Sequence, residues 1–173
     1  MWIADKWRDY ELLDCGGGEK LERWDRQLLV RPEPQAIWET PRRNPAWKRA
    51  DGRYLRSQTG GGHWEKKALP ESWKITYGEL TFQVKPMNFK HTGVFPEQAA
   101  NWDYIRRKVE GAGRPVRVLN LFAYSGGATL AAAAGGTEVW PVVAAKGRAA
   151  LARAKPAVSR MARRPGPGPE RAL

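Results

Sequence analysis

The chain has 173 residues, a formal net charge of +12 and one cysteine, Cys15. This length suffices for one ordinary domain, or for a small domain with part of another. A single cysteine excludes an intramolecular disulfide and a multi-cysteine zinc site, and no apolar run approaches the roughly 20 residues that cross a membrane. The charge excess lies mostly in residues 111–173, which carry a net of +8, so the basic pI alone does not indicate that the whole protein binds nucleic acid. The N-terminus is charged and has no signal-like apolar core, so we expect a soluble cytoplasmic protein.

Residues 7–31 are predicted to form a β-hairpin or small meander. Strand candidates are Tyr10–Leu13, Lys20–Trp24 and Gln27–Arg31, with Cys15–Gly18 as a turn between the first two. The three glycines lack the Lys-Ser/Thr of a nucleotide-binding loop, so the turn is the favoured interpretation.

Residues 32–62 are rich in Pro, Arg, Trp and Gly and are predicted to be irregular. Between residues 42 and 56 six cations stand against a single acid: Arg42, Arg43, Lys48, Arg49, Arg53 and Arg56. Trp38, Trp47 and Tyr54 are interleaved with them. Cations for phosphate and rings for base stacking suit an RNA-binding surface. The same residues also fit a solvated basic loop whose rings pack on the neighbouring domain.

A second hairpin is predicted at Trp73–Tyr77 and Leu80–Val84, because both runs alternate apolar and polar residues around Gly78-Glu79. A helix is predicted from Pro96, with one apolar face, and should lie against a strand that begins at Val116. Neither His63 nor His91 has a partner at ligand spacing, so no metal site is expected.

Residues 116–136 read as strand, small-residue loop and helix. Val116–Phe122 is a short apolar run, Ser125–Gly127 are small, and Ala128–Ala134 favour a helix that ends at Gly135. This arrangement presents backbone N–H groups to a ligand at the carboxyl end of a strand. A buried strand joined to a packed alanine helix, with no ligand, remains an alternative.

Two motifs resemble those of a known family. Val118–Gly126 reads Val-Leu-Asn-Leu-Phe-Ala-Tyr-Ser-Gly and is similar to the first cofactor motif of class I S-adenosylmethionine-dependent methyltransferases, in particular of the family that methylates cytosine in ribosomal RNA. Lys90–Gln98 reads Lys-His-Thr-Gly-Val-Phe-Pro-Glu-Gln and resembles that family's other cofactor-side motif. The resemblance covers about residues 1–140. It implies S-adenosylmethionine as cofactor, RNA as partner, and an incomplete Rossmann-like α/β domain preceded by a small, mainly-β N-terminal region.

The resemblance also implies which residues would surround the cofactor: Phe95, Gln98, Asn120, Phe122, Ala123, Tyr124, Ser125, Gly126 and Gly127. No catalytic residue can be assigned, because Cys15 lies in the wrong region to be the family's catalytic cysteine.

The sequence departs from the family after about residue 140. The acid expected to bind the cofactor ribose is replaced by Val143, and Glu138 lies five residues too early to substitute simply. Hydrogen bonds to a charged group contribute about 1.5–3 kcal/mol each. The loss of such a pair should weaken cofactor binding by at least about tenfold, and we expect a loss of more than about a hundredfold. Five of the seven strands of such a sheet, and the family's Asp-Pro-Pro segment, are not encoded.

These observations divide the chain into four predicted regions. They are residues 1–62 (β-meander and basic aromatic loop), 63–113 (hairpin and helix), 114–143 (start of the cofactor domain) and 144–173, an Ala/Arg/Pro/Gly-rich tail that is partly disordered or a frame error. We expect an N-terminal fragment of an RNA methyltransferase that is inactive alone. A non-catalytic basic RNA-binding protein and a non-functional gene fragment are the alternatives.

Overall fold

The structure is a computed structural model that describes residues 3–58 and 60–142. The chain forms two compact units, Ala4–Pro96 and a second unit of Ile3 with the residues from Glu97 onward. The strands of the first unit are β1 (Tyr10–Gly16), β2 (Glu19–Trp24), β3 (Gln27–Pro32), β4 (Gly52–Arg56), β5 (Gly62–Lys66), β6 (Trp73–Tyr77) and β7 (Leu80–Val84). The elements of the second are α1 (Ala99–Glu110), β8 (Arg117–Asn120), α2 (Gly127–Ala134) and β9 (Glu138–Pro141).

Strands β1 to β5 form one sheet in the order in which they occur along the chain. Neighbouring strands are antiparallel except β3 and β4, which are parallel. The three strands predicted within residues 7–31 are confirmed, with the glycine turn between β1 and β2. The prediction that residues 32–62 are irregular is wrong for β4, in which Gly52 and Tyr54 are buried between more exposed residues. The two arginines of β4, half-buried Arg53 and exposed Arg56, concealed this alternation.

Strands β6 and β7 form a separate hairpin, and both begin and end at the predicted residues. Gly78 turns the chain with φ +55°, a conformation that glycine adopts without steric cost. Ile75 and Phe82 are fully buried on the inner face of the hairpin. The ring of Trp7 lies 6.4 Å from that of Phe82, so the N-terminal segment covers part of this face.

Glu22 and Arg31 form an ion pair in the interior of the first unit. Arg31 Nε donates to Glu22 Oε2 at 2.6 Å, and Arg31 Nη2 donates to Glu22 Oε1 at 2.8 Å. The Tyr10 hydroxyl donates to the same carboxylate at 2.9 Å, and Arg31 Nη1 donates to the Lys90 carbonyl oxygen at 3.0 Å. The guanidinium carbon also lies 5.1 Å from the Trp24 ring centroid. Both charges are therefore hydrogen-bonded, as the burial of an ion pair requires.

This pairing determines the charge state of Glu22. Burial by itself raises the pKa of Glu22, because desolvation disfavours the carboxylate. The charge and hydrogen bonds of Arg31 outweigh that effect, with smaller contributions from Lys20 and Tyr10, and hold the pKa below its ordinary value. The pair is therefore ionised in the folded protein at neutral pH.

In the second unit, α1 follows a 3₁₀ turn at Pro96–Gln98 and packs chiefly against α2. We expected α1 to lie against β8 instead. The glycine at the start of α2, Gly127, permits the observed contact, because a Cβ there would lie 2.6 Å from the Trp102 ring. No described helix is long and apolar enough to cross a membrane.

Strands β8 and β9 are parallel and are connected through α2, which is a βαβ unit. Their amino ends meet at the pair Arg117–Glu138, and their carboxyl ends meet at the pair Asn120–Pro141. Pro141 is the last residue of β9, where its missing N–H is tolerated. The predicted fold class is confirmed: the start of an α/β domain follows a mainly-β region.

Candidate functional site

The loop between β8 and α2 crosses the carboxyl end of β8, the end of a sheet at which α/β proteins bind ligands. Asn120 holds this loop at two points: its Oδ1 accepts from the Phe122 N–H at 3.2 Å, and its Nδ2 donates to Thr129 Oγ1 at 3.0 Å. Tyr124 has φ +46° and Gly126 has φ +89°, so the chain turns sharply before the helix. The loop is therefore shaped by its own backbone and fixed to both flanking elements by one side chain.

Helix α2 begins without a side-chain cap. Gly126 occupies the cap position, and its carbonyl oxygen accepts the first helical hydrogen bond, from the Leu130 N–H at 2.8 Å. The N–H groups of the first turn, which include those of Gly127 and Ala128, have no acceptor within a helix and lie at the positive end of its dipole. An anion such as a carboxylate is the ligand that suits this position.

Gly127 also has a structural role. The Trp102 ring carbon atoms would lie 2.6 Å from any Cβ at this position, which is closer than real contacts allow. The glycine is thus required by the packing of α1 on α2. Its predicted contact with a cofactor stays a prediction.

The apolar residues of the loop differ in exposure. Phe122 is 91% exposed and Leu121 is 57% exposed, whereas Ala123 is 3% exposed and donates its N–H to the Val142 carbonyl oxygen at 3.3 Å. Tyr124 and Ser125 are half-buried. Ala123 therefore closes the end of the strand, and the Phe122 ring lies at its mouth, where it is free to cover a ligand.

The acidic position expected for ribose binding, Val143, lies outside the described residues. Glu138 can be placed, and it lies opposite Arg117 at the amino end of β9. The loop and the start of α2 lie at the other end of the same strands. Glu138 is therefore in the wrong position to replace the missing acid, which agrees with the sequence argument.

The two cofactor residues predicted in the Lys90–Gln98 motif lie in different units. Phe95 belongs to the first unit, is half-buried, and its ring centroid lies 5.1 Å from that of His91 in an edge-on contact. Gln98 belongs to the second unit, is exposed, and accepts from Asn101 Nδ2 at 2.9 Å. Their joint contribution to a cofactor pocket stays a prediction.

The six basic residues proposed for RNA binding are not equivalent. Arg42 Nη2 lies 2.6 Å from Glu19 Oε2, and Arg53 Nη1 lies 3.0 Å from Glu19 Oε1, so one carboxylate neutralises part of their charge. Four of the six have no ion pair among residues 3–58 and 60–142: Arg43, Lys48, Arg49 and Arg56. All four are exposed.

The sequence allows two roles for the aromatic rings between these cations: stacking on RNA bases, or packing within the protein. Trp47 is 5% exposed and donates to Asp14 Oδ2 at 2.7 Å, and Tyr54 is 3% exposed. Trp38 is 53% exposed, although its indole N–H donates to the Cys15 carbonyl oxygen at 2.8 Å. Trp47 and Tyr54 therefore pack, and only Trp38 of the three presents a large exposed surface.

The remaining candidate metal ligands are separate in the structure. Cys15 is a free, half-buried thiol and His63 is exposed. Among the described residues there is no group of three His, Cys, Asp or Glu side chains that could hold a metal ion.

Comparison with known proteins identifies the family. Residues 31–161, more than half of the chain, match the S-adenosylmethionine-dependent methyltransferase family. The chain belongs to this family. The matched segment of this chain extends beyond residue 140, where the sequence departs from the motifs of the resembled RNA methyltransferases.

Individual relatives agree with the family. Ribosomal RNA large subunit methyltransferase K/L of Magnetococcus marinus is 37% identical over 81 residues, which are 46% of this chain and 10% of that protein. The crystal structure of the SAM dependent methyltransferase from Agrobacterium tumefaciens is 38% identical, with a TM-score of 0.82, over 90% of this chain and 50% of that chain. SMU.776, a methyltransferase complexed with SAH, has a TM-score of 0.65 at 21% identity over 90% of this chain and 43% of its own, which shows the fold alone.

The predicted family and cofactor, S-adenosylmethionine, are confirmed. This chain spans 50% of the Agrobacterium chain and 10% of the Magnetococcus protein. Its loop after β8 fits the amino-acid end of the cofactor, because residues 121–126 carry no acid and the first turn of α2 has no side-chain acceptor. The position for the ribose acid lies outside the described residues.

Proposed function

We propose that this methyltransferase binds S-adenosylmethionine at the loop after β8 and belongs to an enzyme that methylates RNA, with ribosomal RNA in the cytoplasm as the substrate. The observation that carries the cofactor site is the uncapped start of α2 at the carboxyl end of a parallel strand. The RNA substrate is supported by the name of the Magnetococcus relative and by the two sequence motifs.

Each part of the loop has a distinct task in this proposal. The N–H groups of Gly127 and Ala128 bind the carboxylate of the cofactor, and Asn120 keeps the loop in place through Thr129. Phe122 covers the bound molecule with its exposed ring. The cofactor supplies a methyl group on a sulfonium, which is ready for transfer to a nucleophilic base.

The groups that act on the base stay unassigned. The Asp-Pro-Pro segment of the resembled family does not occur in the 173 residues. We therefore expect these residues to bind cofactor and RNA without turnover by themselves. Val143 at the acidic position should keep the cofactor affinity at least about tenfold below that of a relative with the acid.

Basic residues of the first unit are proposed to hold the RNA backbone. The four without an ion pair contribute most, because their charges are not compensated: Arg43, Lys48, Arg49 and Arg56. Arg42 and Arg53 contribute less, since both share Glu19.

Calorimetric titration with S-adenosylhomocysteine tests the cofactor site. We expect the full chain to bind, and Phe122→Ala to weaken binding about tenfold, which corresponds to about 1.4 kcal/mol. Leu121→Ala is the matched control, because Leu121 is also exposed and apolar. It should leave the affinity unchanged, and neither change should alter the melting temperature. No binding by the unmodified chain, or equal losses in both variants, would contradict the proposed site.

The alternatives give different results in the same titration. RNA binding that falls with salt, together with no binding of S-adenosylhomocysteine, would favour a non-catalytic RNA-binding protein. Binding of neither molecule would favour a non-functional gene fragment.

A further inference from the structure

We propose that the first unit holds one nucleotide of single-stranded RNA in a cleft between the end of β4 and residues 89–91. The phosphate would bind to Arg56 and Lys90, and the base would lie against the rings of Phe89 and His91. This inference rests on the proposed function, because it names where the RNA substrate contacts the chain.

The cleft lies entirely within the first unit and has a volume of about 510 Å³. Small-molecule sites typically measure about 300–1,000 Å³, so one nucleotide fits. Cations and rings line one part of it, and glycine backbone lines another: Arg56, Lys90, Tyr54, Phe89, His91, Gly60 and Gly61.

Gly60 and Gly61 keep the second part open. Both have positive φ, +94° and +76°, and an added Cβ would meet no atom within 4 Å. Ser57 closes the loop from within, since its N–H donates to the Gly61 carbonyl oxygen at 3.3 Å. Gly60 and Gly61, which carry no side chain, thus border the cleft beside Ser57 and Gln58 and leave room for a ligand.

Positive charge at the cleft is incompletely neutralised. Glu33 is paired with Lys20 at 3.2 Å, and Glu22 with Arg31 at 2.6 Å. Lys90 Nζ donates to the neutral carbonyl oxygen of Pro32 at 3.3 Å. Arg56 has no ion pair among the residues that the structure describes. Two cations are therefore available at the cleft without a carboxylate of their own.

The electrostatic environment of Lys90 supports this description. Partial burial lowers the pKa of Lys90. Glu33 opposes that effect, whereas Lys20, Arg56 and Arg31 add to it. A phosphate placed between Arg56 and Lys90 would relieve the repulsion between them, which is the usual reason why such clusters bind anions.

Aromatic rings follow one another from Phe89 into the Lys90–Gln98 motif. Phe89 and His91 have centroids 5.3 Å apart, and His91 and Phe95 have centroids 5.1 Å apart, both in edge-on contacts. Phe89 and His91 are half-buried, and both residues line the cleft. The row ends at Phe95, a proposed cofactor residue, so a base stacked at His91 would lie one ring away from it.

This combination of features favours RNA over a protein partner. Uncompensated cations beside aromatic rings are typical of single-strand binding, in which phosphates are neutralised and bases stack. The cleft has no large aliphatic side chain among its lining residues that could anchor a peptide.

Binding of a fluorescent single-stranded RNA oligonucleotide to the full chain, measured by anisotropy over a range of salt concentrations, tests the inference. Arg56→Gln should weaken binding about fivefold or more and reduce the slope of log affinity against log salt by about 0.7. Lys74→Gln is the charge-matched control, because Lys74 is exposed on β6 outside the cleft. Equal effects of the two changes would overturn the proposal.

A second variant tests the stacking. His91→Ala should weaken RNA binding about tenfold without changing the salt slope, because a ring contributes no phosphate contact. An unchanged affinity would overturn the assignment of the base. If adenosine monophosphate displaces the oligonucleotide at equal concentration of phosphates, the cleft is a site for free nucleotides and the RNA proposal is wrong.

Titration of the same variants with S-adenosylhomocysteine separates this inference from the cofactor site. Arg56→Gln should bind it as the unmodified chain does. A chain that binds S-adenosylhomocysteine but no RNA overturns the cleft and leaves the cofactor site standing. A chain that binds RNA at the cleft but no S-adenosylhomocysteine overturns the cofactor site and leaves the cleft standing.

Discussion

The two units bury different kinds of side chain. The first has large residues such as Trp24 and Phe82 at zero exposure, together with one buried ion pair. In the described part of the second, Trp102 is the one large aromatic core residue, at 5% exposure. The rest of that core is Leu130 at 9% with small residues: Ala99, Ala123, Ala131 and Ala132. The described part of the second unit also leaves several large apolar side chains exposed: Tyr104, Leu119, Leu121, Phe122 and Val142.

This difference has an energetic meaning. A fully buried large apolar side chain contributes about 1.5–3 kcal/mol, whereas each buried methylene-sized group contributes about 0.8 kcal/mol. The first unit is therefore stabilised by its own core, and the described part of the second depends on close contact between two helices. The proposed cofactor loop lies in the second unit. Ligand-binding loops are commonly drawn from the less stable parts of a protein.

The largest expected effect comes from breaking the ion pair of the first unit. Arg31→Met should lower the free energy of unfolding by about 3–5 kcal/mol, because it removes the main charged partner of the buried Glu22 carboxylate and leaves only Tyr10 and Lys20 beside it. Arg23→Met is the matched control: the Arg23–Glu11 pair is 3.3 Å long but partly exposed, and its loss should cost less than about 1 kcal/mol. Urea unfolding followed by tryptophan fluorescence measures both. Similar small losses would show that the first unit does not depend on this pair.

The pH dependence of the melting temperature, compared between the unmodified chain and Arg31→Met, tests the same ion pair. The folded pKa of Glu22 is lowered, so its contribution is present above the unfolded value of about 4.3 and is lost as pH falls through the folded value. The melting temperature should therefore decrease as pH falls below about 4. In Arg31→Met the main influence that lowers the pKa of Glu22 is gone, while burial still raises it and only Lys20 and Tyr10 oppose burial. The melting temperature of the variant should therefore fall less steeply with acid than that of the unmodified chain. Parallel pH curves for the two proteins would contradict the assignment.

In the second unit the sensitive position is a glycine. Gly127→Ala should destabilise the contact of α1 with α2 by about 1–3 kcal/mol, because the new Cβ overlaps the Trp102 ring. Gly135→Ala should cost less, since its Cβ would lie 3.0 Å from Val109. Hydrogen exchange of α2 amides reports the difference. Equal protection in the two variants would mean that the helix contact is looser than the structure indicates.

The smallest expected effect is a gain. Thr92 is fully buried in the first unit, and its hydroxyl has no hydrogen-bond partner among the described residues. Thr92→Val keeps the shape and removes the unsatisfied group, so it should raise the free energy of unfolding by about 1 kcal/mol. A fall in melting temperature would show that the hydroxyl is bonded.

Local patterns predicted those parts of the fold that depend on neighbours in sequence. Alternation around Gly78 predicted β6 and β7 to the residue, and small residues after an apolar run predicted β8, the loop and α2. Strand β4 was missed because its arginines dominate the composition and because its parallel pairing with β3 has no local signal.

The buried ion pair was also missed, although the hairpin register contained a signal for it. Glu22 of β2 lies opposite Leu29 of β3. Arg31 is two residues after Leu29 and is therefore the diagonal neighbour of Glu22, close enough for an ion pair. The contact of Trp102 with Gly127 had no such signal, because the packing of one helix on another is not set by either sequence alone. The Asn120–Thr129 hydrogen bond, which fixes the proposed cofactor loop, was also missed, because it depends on how the loop brings the end of β8 to the first turn of α2.

Hydrogen exchange of the full chain with and without S-adenosylhomocysteine tests the central claim most directly. If the first-turn N–H groups of α2 hold the cofactor, exchange should slow at residues 121–129 and stay unchanged in β1 to β5. Unchanged exchange at residues 121–129 under saturating ligand, or protection confined to other segments, would contradict the assignment of this loop as the cofactor site.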